Sequence, residues 1–182
     1  MPLPKQDYTA EDYWALPEGE RAELIDGELW ALAVPSRTHQ EIVMKLSRTI
    51  DTYIDDRGGA CKVYPAPFAV NLFGDDTAFV EPDISVVCDR GKLTDRGCEG
   101  APDMVVEVVS PSNPEMDYVS KLHFYREAGV CEYWICDPMK ERTLVYDFGT
   151  EGVMSMYAFT ASVPSAIFPG LVVNFSQIVA GM

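Results

Sequence analysis

The run at residues 103–109, DMVVEVV, constrains this chain more than any other stretch. Its valines read as a strand buried on both faces, yet Glu107 stands among them. An unpaired carboxylate in such surroundings costs several kcal/mol or is forced to protonate. A fold that accepts this strand must therefore bring a cation to Glu107, or else leave one face of the strand exposed at a sheet edge. Residues two apart on a strand share a face, so Glu107 sides with Val105 and Val109, while Met104, Val106 and Val108 point the other way.

A second acid occupies the preceding apolar strand, PDISVVC, where Pro82 restricts the entry and Asp83 follows it. Two apolar strands, each carrying one inward acid, are what a hard divalent cation requires. Magnesium accepts one or two carboxylates with backbone carbonyl and water, and keeps positions open for a phosphate. Lys121 lies fourteen residues after Glu107, on the flank of an apolar helical stripe formed by Tyr118, Leu122 and Tyr125. A helix folded back on the sheet would return its ammonium to the acids, where it would orient an attacking water or offset charge on a phosphoryl group. Blander readings stand beside these: Asp83 as a loop cap, and Lys121 as a surface partner of Asp117, four residues before it.

Around these strands the pattern is that of a single mixed α/β or α+β domain spanning residues 1–182. Thr9 with Asp12 predicts a capping box on a short helix through Leu16. AELIDGELWALA predicts a hairpin turning on Asp26-Gly27, with type I′ character. Ser36 predicts the cap of a longer helix with Ile42, Leu46, Ile50 and Tyr53 on one stripe, ending at Gly58-Gly59. CKVYPAPFAVNL predicts one or two strands; the segment from Ser110 to Gly129 predicts a helix capped by Ser112 and Glu115. CEYWICD and RTLVYDF predict strands about the Asp137-Pro138 turn, and MSMYAF one more.

Charge narrows the function classes. Fourteen Lys and Arg against 29 Asp and Glu give −15, and the first thirty residues hold eight acids against Lys5 and Arg21. Such a field repels polyanions, so nucleic-acid binding needs a divalent metal or a local basic face. The basic segments available are Arg37, Lys45 and Arg48 on the long helix, and Arg90, Lys92 and Arg96 in the loop between the two acid-bearing strands, a loop expected to be well placed to touch a phosphate backbone. The five cysteines (Cys61, Cys88, Cys98, Cys131, Cys136) form no C-x-x-C pair and have only two histidines to complete a zinc site. They read as reduced thiols of a cytoplasmic protein. No signal peptide or apolar window of membrane-spanning length is evident.

Taken in order, PDISVV, APDMVVEVVSPSN and DYVSKLHFYREAGVCEYWICDP resemble the motif series of the Uma-type family within the PD-(D/E)XK nuclease superfamily. AELIDGELW, the PSRTHQ helix start and FPGLVVNFSQI extend the resemblance over nearly the whole chain. It implies a restriction-endonuclease-like fold, a central mixed sheet flanked by helices, often homodimeric. It further implies Asp83, Glu107 and the Val108 carbonyl as ligands of Mg2+ or Mn2+, DNA as substrate, and phosphodiester hydrolysis as the reaction. The superfamily's basic pattern puts its lysine two residues after the second acid. Here that position is Val109, and the resemblance implies Lys121 as the substitute. His39 matches a recurrent histidine, read either as a contact near the metal or as a helix-start residue that packs or caps. Glu23 falls in a shared motif, read either as auxiliary or as a structural or solvated residue beside its hairpin, and His123 reads as a surface residue. Two other functions compete: an idle scaffold serving as a dimeric interaction or regulatory module, and a hydrolase of small phosphate esters.

Overall fold

The computed structural model describes residues 7–111, 116–150 and 152–182. The chain opens with α1 (Ala10–Trp14), closed by the expected capping box: Thr9 Oγ1 accepts from the Asp12 amide, and Asp12 accepts from the Thr9 amide at 2.8 Å. The hairpin β1 (Ala22–Ile25) and β2 (Glu28–Ala31) turns on Asp26 and Gly27, at φ 51° and 72°. Both central residues take positive φ, as a type I′ turn demands. In α2 (Arg37–Asp56) the Ser36 hydroxyl oxygen accepts from the His39 amide at 3.2 Å, and Ile42, Leu46, Ile50 and Ile54 form the buried stripe. Tyr53 sits at its margin and donates its hydroxyl to the Pro169 carbonyl at 2.8 Å.

Seven strands follow: β3 (Lys62–Pro65), β4 (Ala69–Asn71), β5 (Phe79–Val80), β6 (Ile84–Val87), β7 (Leu93–Thr94), β8 (Gly97–Glu99) and β9 (Met104–Val108). A π-helical turn at Met116–Ser120 leads into α3 (Lys121–Ala128), which ends at Gly129 in the left-handed region, φ 92°. The cap expected from Ser112 and Glu115 lies outside the described residues, as does the Asp117 side chain. The chain closes with β10 (Glu132–Asp137), β11 (Arg142–Asp147), β12 (Val153–Ala158), β13 (Ser162–Pro164), β14 (Val172–Asn174) and α4 (Phe175–Ile178).

The central sheet is mixed, in the order β12-β11-β10-β9-β6-β3, with β9 and β10 parallel and the other pairs antiparallel. Alternation along β9 divides the core as its sequence requires. Met104, Val106 and Val108 pack with the α2 stripe, Trp134 and Phe175, whereas Val105 and Val109 pack with Tyr125, Tyr133 and Ile135. A second six-stranded sheet, β2-β1-β5-β4-β8-β7, was not anticipated as a separate layer. Its strands run only two to four residues, too short for a period-two signal, and it shares the Val105 core through Ile25, Val70 and Leu72.

Two expectations are corrected. Cys61 and Cys88 are joined in a disulfide rather than carried as thiols. Register explains it: Lys62 faces Val87 across β3 and β6, so the residues just outside that pair, Cys61 and Cys88, face each other in turn. The other three cysteines are free, and burial pushes the Cys98 thiol up to about 11 and that of Cys136 higher still. The loop carrying Arg90, Lys92 and Arg96 is also misplaced for contact with substrate at the two acids. β6 and β9 are antiparallel, so their connection leaves from the end of the sheet opposite Asp83 and Glu107. Its cations are engaged locally: Lys92 Nζ donates to the Ala101 carbonyl at 2.8 Å, Arg90 Nε to the Ala60 carbonyl, and Arg96 lies over Trp14.

Glu132, at the start of β10, is fully buried with no cation beside it among the described residues. Four donors compensate its charge: Trp134 Nε1 at 2.6 Å, the Ser165 hydroxyl at 2.6 Å, and the Ala166 and Ile167 amides at 2.9 and 3.2 Å. It thereby pins the loop before β14 to the central sheet. Glu132→Ala should lower stability by about 2–3 kcal/mol, since it leaves buried donors unsatisfied. Urea denaturation of the variant against the parent protein checks this.

Candidate active site

Pairing of β6 with β9 sets Ile84 opposite Val106, and one further step of the same register sets Asp83 opposite Glu107. The two acids are tied reciprocally. Asp83 Oδ2 accepts from the Val108 amide at 2.8 Å, and the Asp83 amide points at Glu107 Oε2 at 3.4 Å. Pro82 gives no donor and starts the strand, so Asp83 stands at its mouth. Glu107 is 3% exposed, within the face that Val105 and Val109 define.

Lys121, at the first turn of α3, answers the question posed by a carboxylate among valines. Its Nζ lies 2.9 Å from Glu107 Oε1 and 2.9 Å from Glu23 Oε1. All three side chains are at most 6% exposed. Glu23 is held in turn by the Glu81 amide at 3.0 Å, and the Tyr125 hydroxyl donates to Glu107 Oε1 at 2.7 Å. Glu23 is therefore an internal partner of the lysine rather than a solvated hairpin residue. His39 Nε2 lies 3.0 Å from Asp83 Oδ2, beyond a role at its helix start, while its Nδ1 is buried with no hydrogen-bond partner among the described residues. His123 is a surface residue, 3.4 Å from Glu127.

Glu23, His39, Asp83, Glu107 and Lys121 open into one cleft of about 720 Å³, which Arg21, Trp30, Val34, Val108 and Met139 also line. Three residues at or beside the site were missed in the sequence. Tyr125 was read only as an apolar stripe residue, although it lies four after Lys121 and so on the same helix face. Trp30 lies directly across the hairpin from Glu23, a pairing implicit in the Asp26-Gly27 turn. Arg21 precedes Glu23 by two residues and so shares its face; its guanidinium binds Glu81 Oε2, with Nε at 2.8 Å. The basic residues of α2 serve the fold instead. Arg37 pairs with Glu41, and Lys45 Nζ donates to the Ile178 and Ala180 carbonyls at 2.6 and 3.1 Å.

Near the Met139 side of the cleft, Asp137 accepts from the Tyr118 hydroxyl at 2.6 Å and from the Met139 and Lys140 amides at 3.0 Å. Burial would raise its carboxyl, but the donors from Tyr118 and Lys140 outweigh it and hold the group below its ordinary value. Tyr118 moves the other way, up to about 12, through burial and the Asp137 hydrogen bond.

Does this set suit a divalent cation? Among the described residues no three His, Cys, Asp or Glu side chains gather as a ready-made cage. Magnesium does not need one, because it is held by one or two carboxylates plus carbonyl and water. Asp83 Oδ1 accepts no hydrogen bond among the described residues, so a hard oxygen donor is available at the strand mouth. Formally, three carboxylates (Glu23, Asp83, Glu107) and one ammonium leave two negative charges, which a divalent cation would balance. The residues fit.

A central mixed sheet flanked by helices, with two acids opposed across neighbouring strands and a lysine returned from the next helix, defines the restriction-endonuclease-like class of fold. The comparisons agree. A crystal structure described as "a putative nuclease belonging to DUF820", from Anabaena variabilis ATCC 29413, superposes with a TM-score of 0.77 at 20% identity, covering 94% of this chain and 97% of that one. The model of the Uma2 family, described as "Putative restriction endonuclease", matches residues 10–176, and the chain belongs to that family. Two similar proteins of Synechocystis sp. (strain ATCC 27184 / PCC 6803 / Kazusa) are "Uncharacterized protein slr1290", 29% identical over 126 residues, and "Uncharacterized protein sll1609", 29% identical over 109. The matches cover 68% and 59% of this chain and span 64% and 60% of those proteins' own lengths.

Proposed function

We propose that the chain, acting as one domain over residues 1–182, is a metal-dependent endonuclease that hydrolyses phosphodiester bonds of DNA. The observation that carries this is the opposition of Asp83 and Glu107 across β6 and β9, with Lys121 brought to 2.9 Å from Glu107 by α3. Asp83, Glu107 and the Val108 carbonyl would hold Mg2+ or Mn2+. A cation bound there supplies Lewis-acid polarisation of the phosphoryl group and lowers the pKa of a bound water.

The chain's own residues do the rest. Glu23 and Glu107 hold the Lys121 ammonium between them, so it faces the cleft in one orientation instead of sampling solvent. From there it orients the attacking water and offsets charge as the phosphoryl group is attacked. His39 keeps Asp83 Oδ2 engaged, which turns Oδ1 outward. The deep position of the acids within the cleft limits competing solvent. A homodimer would present two such clefts, one to each strand of a duplex.

The competing reading, an idle scaffold serving as an interaction or regulatory module, draws on the charge of −15. Retention of the buried Glu23–Lys121–Glu107 group weighs against it, since that group is costly to keep for packing alone. The expected result is nicking of plasmid DNA in magnesium or manganese and silence in EDTA, with loss of cleavage in Asp83→Ala. Failure of the intact protein to cleave DNA or to bind manganese by calorimetry would leave the scaffold reading in its place.

A further inference from the structure

Beyond the acids and the lysine, the cleft has a wall that the proposed chemistry does not use. Strand β1 and its extension bring Arg21 to the same face as Glu23, and the hairpin register sets Trp30 directly opposite Glu23. The hairpin continues past its last paired residues, where the Leu32 amide donates to the Arg21 carbonyl at 2.9 Å. Arg21 and Trp30 are thus diagonal neighbours, on the order of 7–8 Å apart, a span suited to the phosphate and base of one nucleotide.

Each has an unused recognition surface. The Arg21 guanidinium engages Glu81 through Nε and Nη2, while Nη1 makes no hydrogen bond among the described residues; the side chain is 37% exposed. Of the other cations lining the cleft, Lys121 is buried between two carboxylates and His39 lies against Asp83. Arg21 is accordingly the guanidinium that a phosphate entering the cleft would meet. Trp30 is half-buried and lines the cleft, and Val34, 95% exposed, and Met139, 54% exposed, also lie along the lining. An apolar lip on a chain of charge −15 does not suit the polyanionic backbone of a duplex. Phosphate contacts dominate duplex affinity, and here the cations Arg37 and Lys140 are already paired with Glu41 and Asp137. An unpaired strand offers a base face as well as a phosphate, and stacking on an aromatic ring gives affinity without a basic footprint.

We infer that the β1–β2 hairpin forms a nucleotide subsite for an unpaired DNA strand, with Arg21 taking the phosphate next to the reacting one and Trp30 stacking on its base. This rests on the endonuclease reading above and names the substrate form for that same cleft.

Binding read without cleavage separates the two. With calcium replacing magnesium, a single-stranded deoxythymidine decamer should quench tryptophan fluorescence, and a duplex of equal length should bind at least tenfold more weakly. Trp30→Leu should abolish the quench and weaken decamer binding roughly tenfold. Trp30→Phe, which keeps a ring to stack on, should retain most of the affinity while losing the spectral change. Arg21→Ala should weaken the decamer and its abasic counterpart alike, whereas Trp30→Leu should leave the abasic strand unaffected. Equal binding of duplex and single strand, or an unchanged quench in both Trp30 variants, overturns the subsite while leaving the endonuclease reading intact. Quenching with the expected variant pattern, in a protein that cleaves no DNA in magnesium or manganese, upholds the subsite and overturns the nuclease.

Discussion

Glu107→Gln is expected to reduce metal-dependent cleavage by roughly a thousandfold in a protein that still folds. The amide matches the carboxylate in size, and its carbonyl oxygen can still accept from Lys121 Nζ and the Tyr125 hydroxyl, now at 2.9 and 2.7 Å from Oε1. The new NH2 would replace Oε2, which faces the Asp83 amide at 3.4 Å, and the resulting donor-donor contact should cost only about 1 kcal/mol. What disappears is the negative charge that would share a divalent cation with Asp83. The decisive pair of measurements is single-turnover cleavage and manganese affinity, with a thermal melt to confirm the fold. Cleavage within a few fold of the parent protein would move the site away from Glu107.

Lys121→Met separates the lysine's two duties. Breaking a buried ion pair by removing one partner costs about 3–5 kcal/mol, and here the loss leaves both Glu23 and Glu107 without the ammonium at 2.9 Å. The single variant should therefore unfold at distinctly lower urea and lose cleavage. Adding Glu23→Gln removes one of the stranded charges, so the double variant should regain part of the stability. It should regain none of the activity, because no ammonium faces the cleft. A double variant that cuts DNA would reduce Lys121 to a structural neutraliser of Glu107. A single variant as stable as the parent would show that the acids find other compensation.

Local features of this fold were legible because their causes are local. Thr9 with Asp12, Asp26-Gly27, Ser36 and Gly129 each act within a few residues, and each takes the predicted role. Alternation along β9 was equally plain, since Glu107 has to lie with Val105 and Val109 whatever the strand pairs with. Register was the missing quantity elsewhere. The disulfide of Cys61 with Cys88 depends on how β3 slides against β6, and Trp30 enters the cleft because of its partner across the hairpin. The second sheet escaped notice because strands of two to four residues leave no period to count. Glu132 is the most instructive omission. It is a buried acid at the start of an apolar strand, much like Glu107, but two of its four donors are backbone amides 34 and 35 residues downstream. Peptide groups are the same in every sequence, so no letter announces them.

The order of the site along the chain has a consequence for synthesis. Glu23, His39, Asp83, Glu107 and Lys121 emerge from the ribosome in that sequence, and β10, which pairs with the outer edge of β9, emerges after them all. Asp83 and Glu107 meet only through the finished register of β6 and β9, and the lysine reaches them only after α3 has docked. A growing chain thus holds its acids apart until β9 has been made and paired. If the cleft cuts nucleic acid, the capacity to do so arrives only when β9 has registered against β6 and α3 has brought Lys121 back to Glu107, so the chemistry is switched on by folding rather than by synthesis of any one acid.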